Sequence, residues 1–214
     1  MALTFNKIHG EAIKSEIDYY KFEEGRNKFR LVGEVLPRYV YWKQTLDSKK
    51  SIAIECLSFD REKEKFTNVE KDWFSEYFPE EKCSWSYLVQ VIDPKDNKVK
   101  VLGLKKKLFQ SMLDLAQEHL GDPTDAENGW DVVVSKKKTG PLPFNVEYTL
   151  DQLACKKRAL TAEEKELIKN IKPIDELFPR PAPEEQKAFI ERTWINVESK
   201  EADDIPPEVS EEID

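Results

Sequence analysis

Arg38, Tyr39, Val40, Tyr41, Trp42 and Lys43 place three aromatic rings and two cations within six positions. This set offers no activated nucleophile and no proton shuttle. It suits a ligand with flat faces and a negative backbone. On a strand, where side chains alternate, Tyr39, Tyr41 and Lys43 share one face and Arg38, Val40 and Trp42 the other. Two aromatic plates and a cation on one face fit unstacked bases and phosphates. Each stacked base is worth about 1–3 kcal/mol, with little regard to base identity. The same residues also make ordinary strand core, and for one strand that reading is the better one. Recurrence changes the balance. Arg30 precedes the segment, and Trp85 and Tyr87 open the next long apolar run. Lys100 and the run Lys105, Lys106, Lys107 come next, and Lys136, Lys137 and Lys138 stand near Phe144 and Tyr148. Cations at a helix start oppose its dipole, so Lys105–Lys107 are expected to meet an anion, a solvated lysine run being the plainer alternative. The candidate binding set is therefore Arg30, Arg38, Tyr39, Tyr41, Lys43, Trp85, Tyr87, Lys100, Lys105–Lys107, Lys136–Lys138, Phe144 and Tyr148.

Catalytic constellations are poor beside this. The two histidines are His9 and His119, the second on an expected helix surface. No GxSxG, P-loop, GxGxxG after a strand or HExxH occurs. Cys56 and Cys83 have no CxxC spacing and no nearby histidine, so no zinc and no cofactor are expected. The expectation is a binding protein rather than an enzyme. A metal-dependent nuclease built on unrecognised carboxylates is the alternative from another class, and an RNA- or protein-binding module the third.

The elements that carry these residues read mainly as β-strands. FRLVGEVLP (29–37) alternates, and Gly33 suits a bulge or barrel bend. SIAIECLSF (51–59), WSYLVQVIDP (85–94), VKVLGL (99–104), GWDVVVSKKK (129–138) and FNVEYTL (144–150) read as further strands, with turn composition at 93–98 and 139–143. Residues 105–121 form the strongest helix, with Leu108, Met112 and Leu115 on one side and Gly121 at its end. Residues 60–84 read as an inserted lobe with one helical segment. Residues 151–194 lean helical, with a capping box at Thr161–Glu164 and a start at Pro183. Six or seven short strands with a helix between two hairpins match an OB-fold, a small Greek-key barrel, with a generic α+β domain as the competing reading. The expected organisation is a 1–150 core with a 57–84 lobe, a helical extension at 151–194 and a tail at 195–214.

The chain has 214 residues and a formal charge of -8, but residues 195–214 hold eight acids and one lysine. Of the -8, -7 resides there, leaving -1 on the rest. A nearly neutral body with a solvated, disordered acidic tail is the expectation. Such an arm is suited to competing for a basic groove or recruiting partners; the plainer alternative is a solubility tail. No run approaches 18 apolar residues, and MALTFNKIHGEAIKSE has no apolar h-region, so neither a membrane span nor a secretory signal is expected. Three irregularly spaced cysteines argue against a disulfide framework, which leaves a cytoplasmic protein as the expectation.

These pieces resemble the core of phage single-stranded DNA-binding proteins of the T4 helix-destabilising type. The matching stretches are FRLVGEVLPRYVYWK (29–43), IAIEC (52–56), WSYLVQVIDPKDNKVKVLGLKKKLFQSM (85–112) and DVVVSKKKTGPLPFNVEY (131–148), in the family's order. The resemblance implies an OB-fold that holds single-stranded DNA in a basic, aromatic cleft during replication, recombination and repair. It sets Trp85 on the family's strand-opening tryptophan, Phe144 on the aromatic of its closing hairpin and Arg30 on an early basic strand position. The acidic end fits as well, and DDIP (203–206) resembles the tip of bacterial single-stranded DNA-binding proteins. Replication and recombination proteins are then the partners implied for the tail, in the host cytoplasm for a phage-encoded chain. Two features depart from the family. Its zinc subdomain has no counterpart, because 57–84 lacks histidine, so the aromatics at 73–78 are expected to pack that lobe. Its basic N-terminal arm is not matched by residues 1–16, which leaves self-association on DNA without that route.

Overall fold

The structure, a computed structural model, describes residues 17–46, 51–142 and 145–196. Its strands are β1 (Gly25–Gln44), β2 (Ser51–Glu55), β3 (Phe59–Asp60), β4 (Lys65–Phe66), β5 (Ser84–Asp93), β6 (Lys98–Leu104), β7 (Trp130–Lys138), β8 (Val146–Leu150) and β9 (Lys156–Lys157). Its helices are α1 (Trp73–Tyr77), α2 (Lys106–Leu115), α3 (Ala162–Ile168), α4 (Ile174–Leu177) and α5 (Pro183–Ile190), with π turns at Ala116–Leu120 and Glu191–Ile195. The chain divides into two compact units. The first holds the residues up to Pro37 and Ser86–Pro179; the second holds Arg38–Trp85 and the residues from Arg180 onward.

In the first unit the apolar alternation of the sequence becomes an antiparallel sheet of order β6-β5-β1-β7-β8, with β9 also on β7. β5 and β6 form a hairpin in register from Tyr87↔Leu104 to Asp93↔Lys98. Its turn is held by Asp93, whose carboxylate accepts from Lys95 N at 3.0 Å, and by Asn97 at φ +53. β7 then returns beside β1, from Gly25↔Lys136 to Arg30↔Asp131. The order β7-β1-β5-β6, with β2, β3 and β4 intervening in the chain between β1 and β5, places a later strand beside the first, as in a Greek key. The arrangement is consistent with an OB-type barrel. Among the described residues no ladder joins β6 to β8, so the sheet is not closed. The outer edge of β6 instead meets the chain start: Tyr20 N donates to Val101 O at 2.9 Å and Val101 N to Asp18 O at 2.8 Å.

Among the described residues of this unit, one apolar cluster gathers around Val32, Ile92 and Leu160 and another around Leu36, Leu88, Val101 and Ile174. Gly33 takes φ +69 in the middle of β1, and a Cβ there would lie 3.0 Å from Gln90 Oε1. A side chain at this bend is therefore both strained and crowded. α2 buries Leu108, Met112 and Leu115, an i, i+4, i+7 stripe. It runs into the π turn, which Gly121 closes by donating its N–H to Ala116 O at 2.8 Å. α3 starts with the expected capping box: Glu164 N donates to Thr161 Oγ1 and Thr161 N to Glu164 Oε2. Such a cap contributes about 0.5–2 kcal/mol.

In the second unit β2 pairs with the end of β1, from Val40↔Glu55 to Gln44↔Ser51. Tyr41, Ile54, Cys56, Phe74 and Ile190 form its core, with Trp73, Tyr77, Phe78 and Trp194 packed around them. The aromatics at 73–78 thus pack this lobe. Buried Gln186 on α5 joins its parts, donating to Glu55 O at 2.8 Å and accepting from Trp73 N at 2.8 Å. Among the described residues no helix is long and apolar enough to cross a membrane.

Candidate nucleic-acid interface

β6 ends at Leu104, just before α2, and α2 packs on β8. Between them lies a groove of about 300 Å³ lined by Phe22, Gly103, Lys105, Lys107, Leu108, Val146, Glu147 and Tyr148. Strand pairing explains its chemistry. Val134↔Leu150, Lys136↔Tyr148 and Lys138↔Val146 are cross-strand partners. Directly opposed residues share a face, so one face passes from the buried pair Val134–Leu150 to a lysine–tyrosine pair nearer the turn. Phe22 packs on Tyr148 with ring centroids 5.0 Å apart, and Lys136 Nζ donates to Phe22 O at 2.8 Å. Lys105, Lys107, Lys137 and Lys138 are exposed. The groove thus joins two half-open rings to the ammonium groups of Lys105 and Lys107, with Glu147 as one opposing carboxylate.

Helix α2 adds to this. Its N-cap is Lys105, which makes no side-chain cap, and its first turn has no acid. The positive end of the helix dipole and three successive lysines therefore present positive charge together. That arrangement costs helix stability and gains only against an anion.

Other expected site residues are placed elsewhere. Arg30 is 1% exposed, and its guanidinium is spent on Asp125 O at 2.6 Å and Arg158 O at 3.1 Å. Burial lowers its pKa, opposed by nearby Asp131. A phosphate has no access to it. Lys100 is held between Asp93 at 2.7 Å and Asp96 at 2.8 Å. Tyr87 is buried and stacked on Phe109 at 3.9 Å. All three are engaged inside the fold: Arg30 and Tyr87 by burial, and Lys100 by its two carboxylates, although the Nε of Arg30 is left without a hydrogen-bond partner.

In the second unit, Tyr41 and Lys43 share the face of β1 that the alternation assigns them, and that face is core. Tyr41 is 5% exposed, stacks on Phe74 at 4.4 Å and donates to Asp72 Oδ2 at 3.0 Å. Lys43 pairs with Glu81 at 2.8 Å and lies over the Phe78 ring. Arg38 is half-buried. Tyr39 and Trp85 are half-buried rings 4.3 Å apart, packed with Phe59 and the 48% exposed Phe66. On the other face of β1, Trp42 is 56% exposed. Trp42 lies on the face of RYVYWK that the alternation sets opposite Tyr39, Tyr41 and Lys43, and Phe66 lies in the stretch 60–84, which reads as an inserted lobe. Phe22 was missed because its segment reads only as a short extended piece. Lys106 is exposed at the start of α2, and Phe144 lies outside the described residues.

Cys56 and Cys83 lie together in the second unit's core cluster. The hydrogen bond from Cys56 holds Cys83 down at about 7, while Cys56 itself is pushed up by that bond and by burial. Among the described residues no group of three or more His, Cys, Asp or Glu is placed to hold a metal ion.

No family model matches the chain. A protein of Escherichia phage T5 named "Probable ssDNA-binding protein" is 28% identical to it over 243 aligned residues, taking in 95% of this chain and 91% of the relative.

Proposed function

We propose that this chain binds single-stranded DNA without strong sequence preference, through the groove that joins Phe22 and Tyr148 to Lys105 and Lys107, with Lys136 and Lys138 on the Tyr148 face of the β7–β8 ladder adding positive charge. The observation that carries the reading is that basic, aromatic groove at the unclosed side of the sheet. The near full-length similarity to the phage T5 protein supports it. So does the strand order, which we read as an OB-fold. That fold binds strands of nucleic acid on strands 2 and 3 and on the loops 1–2 and 4–5. Here strand 3 is β6, whose Gly103 lines the groove, and the loop 4–5 is residues 139–145, which lead into β8.

The physical division of labour follows. Tyr148 and Phe22 offer ring faces that any base can use. The ammonium groups track phosphates and release counterions, so affinity falls with salt, by about 0.7 log units per phosphate per tenfold change. Duplex DNA offers neither unstacked bases nor a single backbone and binds worse. The chain acts as a binding protein in replication, recombination and repair of phage-type DNA, not as an enzyme. Its acidic segment 195–214, nearly all outside the described residues, serves as a weak phosphate mimic that DNA displaces and that then recruits other proteins. Deleting residues 198–214 is expected to strengthen binding to single strands, most at low salt. Equal affinities at low salt would remove that role while leaving the binding assignment standing.

Anisotropy titrations with labelled oligo-dT, the matching duplex and oligo-U, with and without Mg²⁺, test the proposal. Preference for oligo-dT over duplex, with no cleavage, is expected. Preference for duplex, salt-independent binding or Mg²⁺-dependent cleavage would contradict it; the last outcome indicates a nuclease.

A further inference from the structure

The first unit carries a second groove, of about 370 Å³, along the later part of α2. Its walls are apolar: Val32, Val35, Phe109, Met112, Leu113 and Ala116 among them. Val35 and Leu113 both line it and are each 37% exposed. Its charged lining residues are Glu34 and Asp122, both carboxylates. Asp122 is partly engaged, accepting from Thr124 N at 2.8 Å and from Thr124 Oγ1 at 2.7 Å. Glu34 is exposed and has no ion-pair partner among the described residues. The charge is the reverse of the Lys105–Lys107 end, so a phosphate backbone is repelled here. The π turn beginning at Ala116 sits in the wall, and such turns are frequent at functional positions.

We propose that this groove binds a short segment of another protein that combines apolar side chains with lysine or arginine. The apolar walls supply the contact, and Glu34 and Asp122 select cations. The placement on α2 gives the segment a further reason to be cationic. Lys107 and Leu113 are six residues apart, roughly 9 Å along the helix at 1.5 Å per residue. DNA held at the helix start lies within about one Debye length of the segment at 0.1 M salt. A cationic segment is attracted by that DNA, and an anionic one is repelled. Both grooves are then filled together, and the protein joins a partner to DNA without either displacing the other.

The probes are fluorescein-labelled 12-residue peptides: one of lysine and leucine in amphipathic order, one with serine for leucine and one with glutamate for lysine. Binding to the full chain is followed by anisotropy, and the site by backbone NMR shifts. The lysine–leucine peptide is expected to bind at least tenfold more tightly than the other two and to shift Val35, Leu113 and Ala116. Leu113→Gln with Val35→Thr, both partly exposed positions, should weaken it at least tenfold with an unchanged circular dichroism spectrum. Glu34→Gln should weaken it about threefold, more at low salt. Saturating oligo-dT should leave its affinity unchanged or raise it. Unchanged affinity in the Leu113/Val35 variant, equal binding of the glutamate–leucine peptide or displacement by oligo-dT would each overturn the proposal. So would a dimer in sedimentation experiments that this variant abolishes, because a second copy would then fill the groove.

Discussion

Replacing Lys105 with Ser and Lys107 with Gln separates the two demands on the start of α2. Lys105 is an N-cap with no side-chain hydrogen bond, followed by a first turn without an acid. Serine at this position caps the helix, a gain of about 1 kcal/mol. Each cation removed from the dipole's positive end adds about 0.3–1 kcal/mol. The fold should therefore become more stable by roughly 1.5–3 kcal/mol, the sum of the capping and dipole contributions. At about 2–4 °C per kcal/mol for a chain of this size, that is a rise in melting temperature of several degrees. Binding should move the other way. Both lysines line the groove. If each meets one phosphate, the salt slope for single strands falls by about 1.4 in all. Taking the counterion contribution to vanish near 1 M salt, the same slope makes the variant roughly 25-fold weaker at 0.1 M. Differential scanning fluorimetry and oligo-dT anisotropy at 0.05, 0.1 and 0.2 M salt read both effects. A lower melting temperature, or an unchanged slope with unchanged affinity, would refute the reasoning.

Tyr148→Leu should weaken oligo-dT binding by about 1–3 kcal/mol, with the salt slope unaltered in anisotropy titrations. Tyr41→Phe should do the opposite: the carboxylate of Asp72 loses a buried donor, stability falls by about 1–3 kcal/mol in urea unfolding, and affinity stays within twofold. The Cys83 thiolate forms as pH rises through about 7, so its alkylation by iodoacetamide should climb steeply between pH 6 and 8. Buried Cys155, whose thiol burial pushes up, should lag; mass spectrometry of the alkylated peptides reads both.

The sequence made the sheet legible where period and turn agreed. The hairpin of 85–104 followed from alternating apolar residues around Asp93–Lys98, and the register confirms it. α2 and the Thr161 cap were legible for the same reason, because their signals are local. The RYVYWK segment shows the limit. Alternation correctly put Tyr41 and Lys43 on one face, but not which face is covered. The cover over Tyr41 comes from Phe74 on α1 and Ile190 on α5, the latter nearly 150 positions away in the chain. Arg30 failed differently. It reads as a surface cation, yet its partners are the backbone carbonyls of Asp125 and Arg158, which no side-chain pattern announces. Tyr148 and Lys136 were legible as a basic, aromatic hairpin, whereas Phe22 enters the groove only through tertiary packing.

The central claim is that single-stranded DNA lies in the groove of Tyr148, Phe22, Lys105 and Lys107. Photocrosslinking with 5-iodouracil-substituted oligo-dT, followed by peptide mapping, tests it most directly. Crosslinks are predicted at Tyr148 and Phe22, lost when unlabelled oligo-dT competes and retained in Tyr41→Phe. Efficient crosslinking that bypasses residues 22, 105–108 and 146–148 would contradict the account.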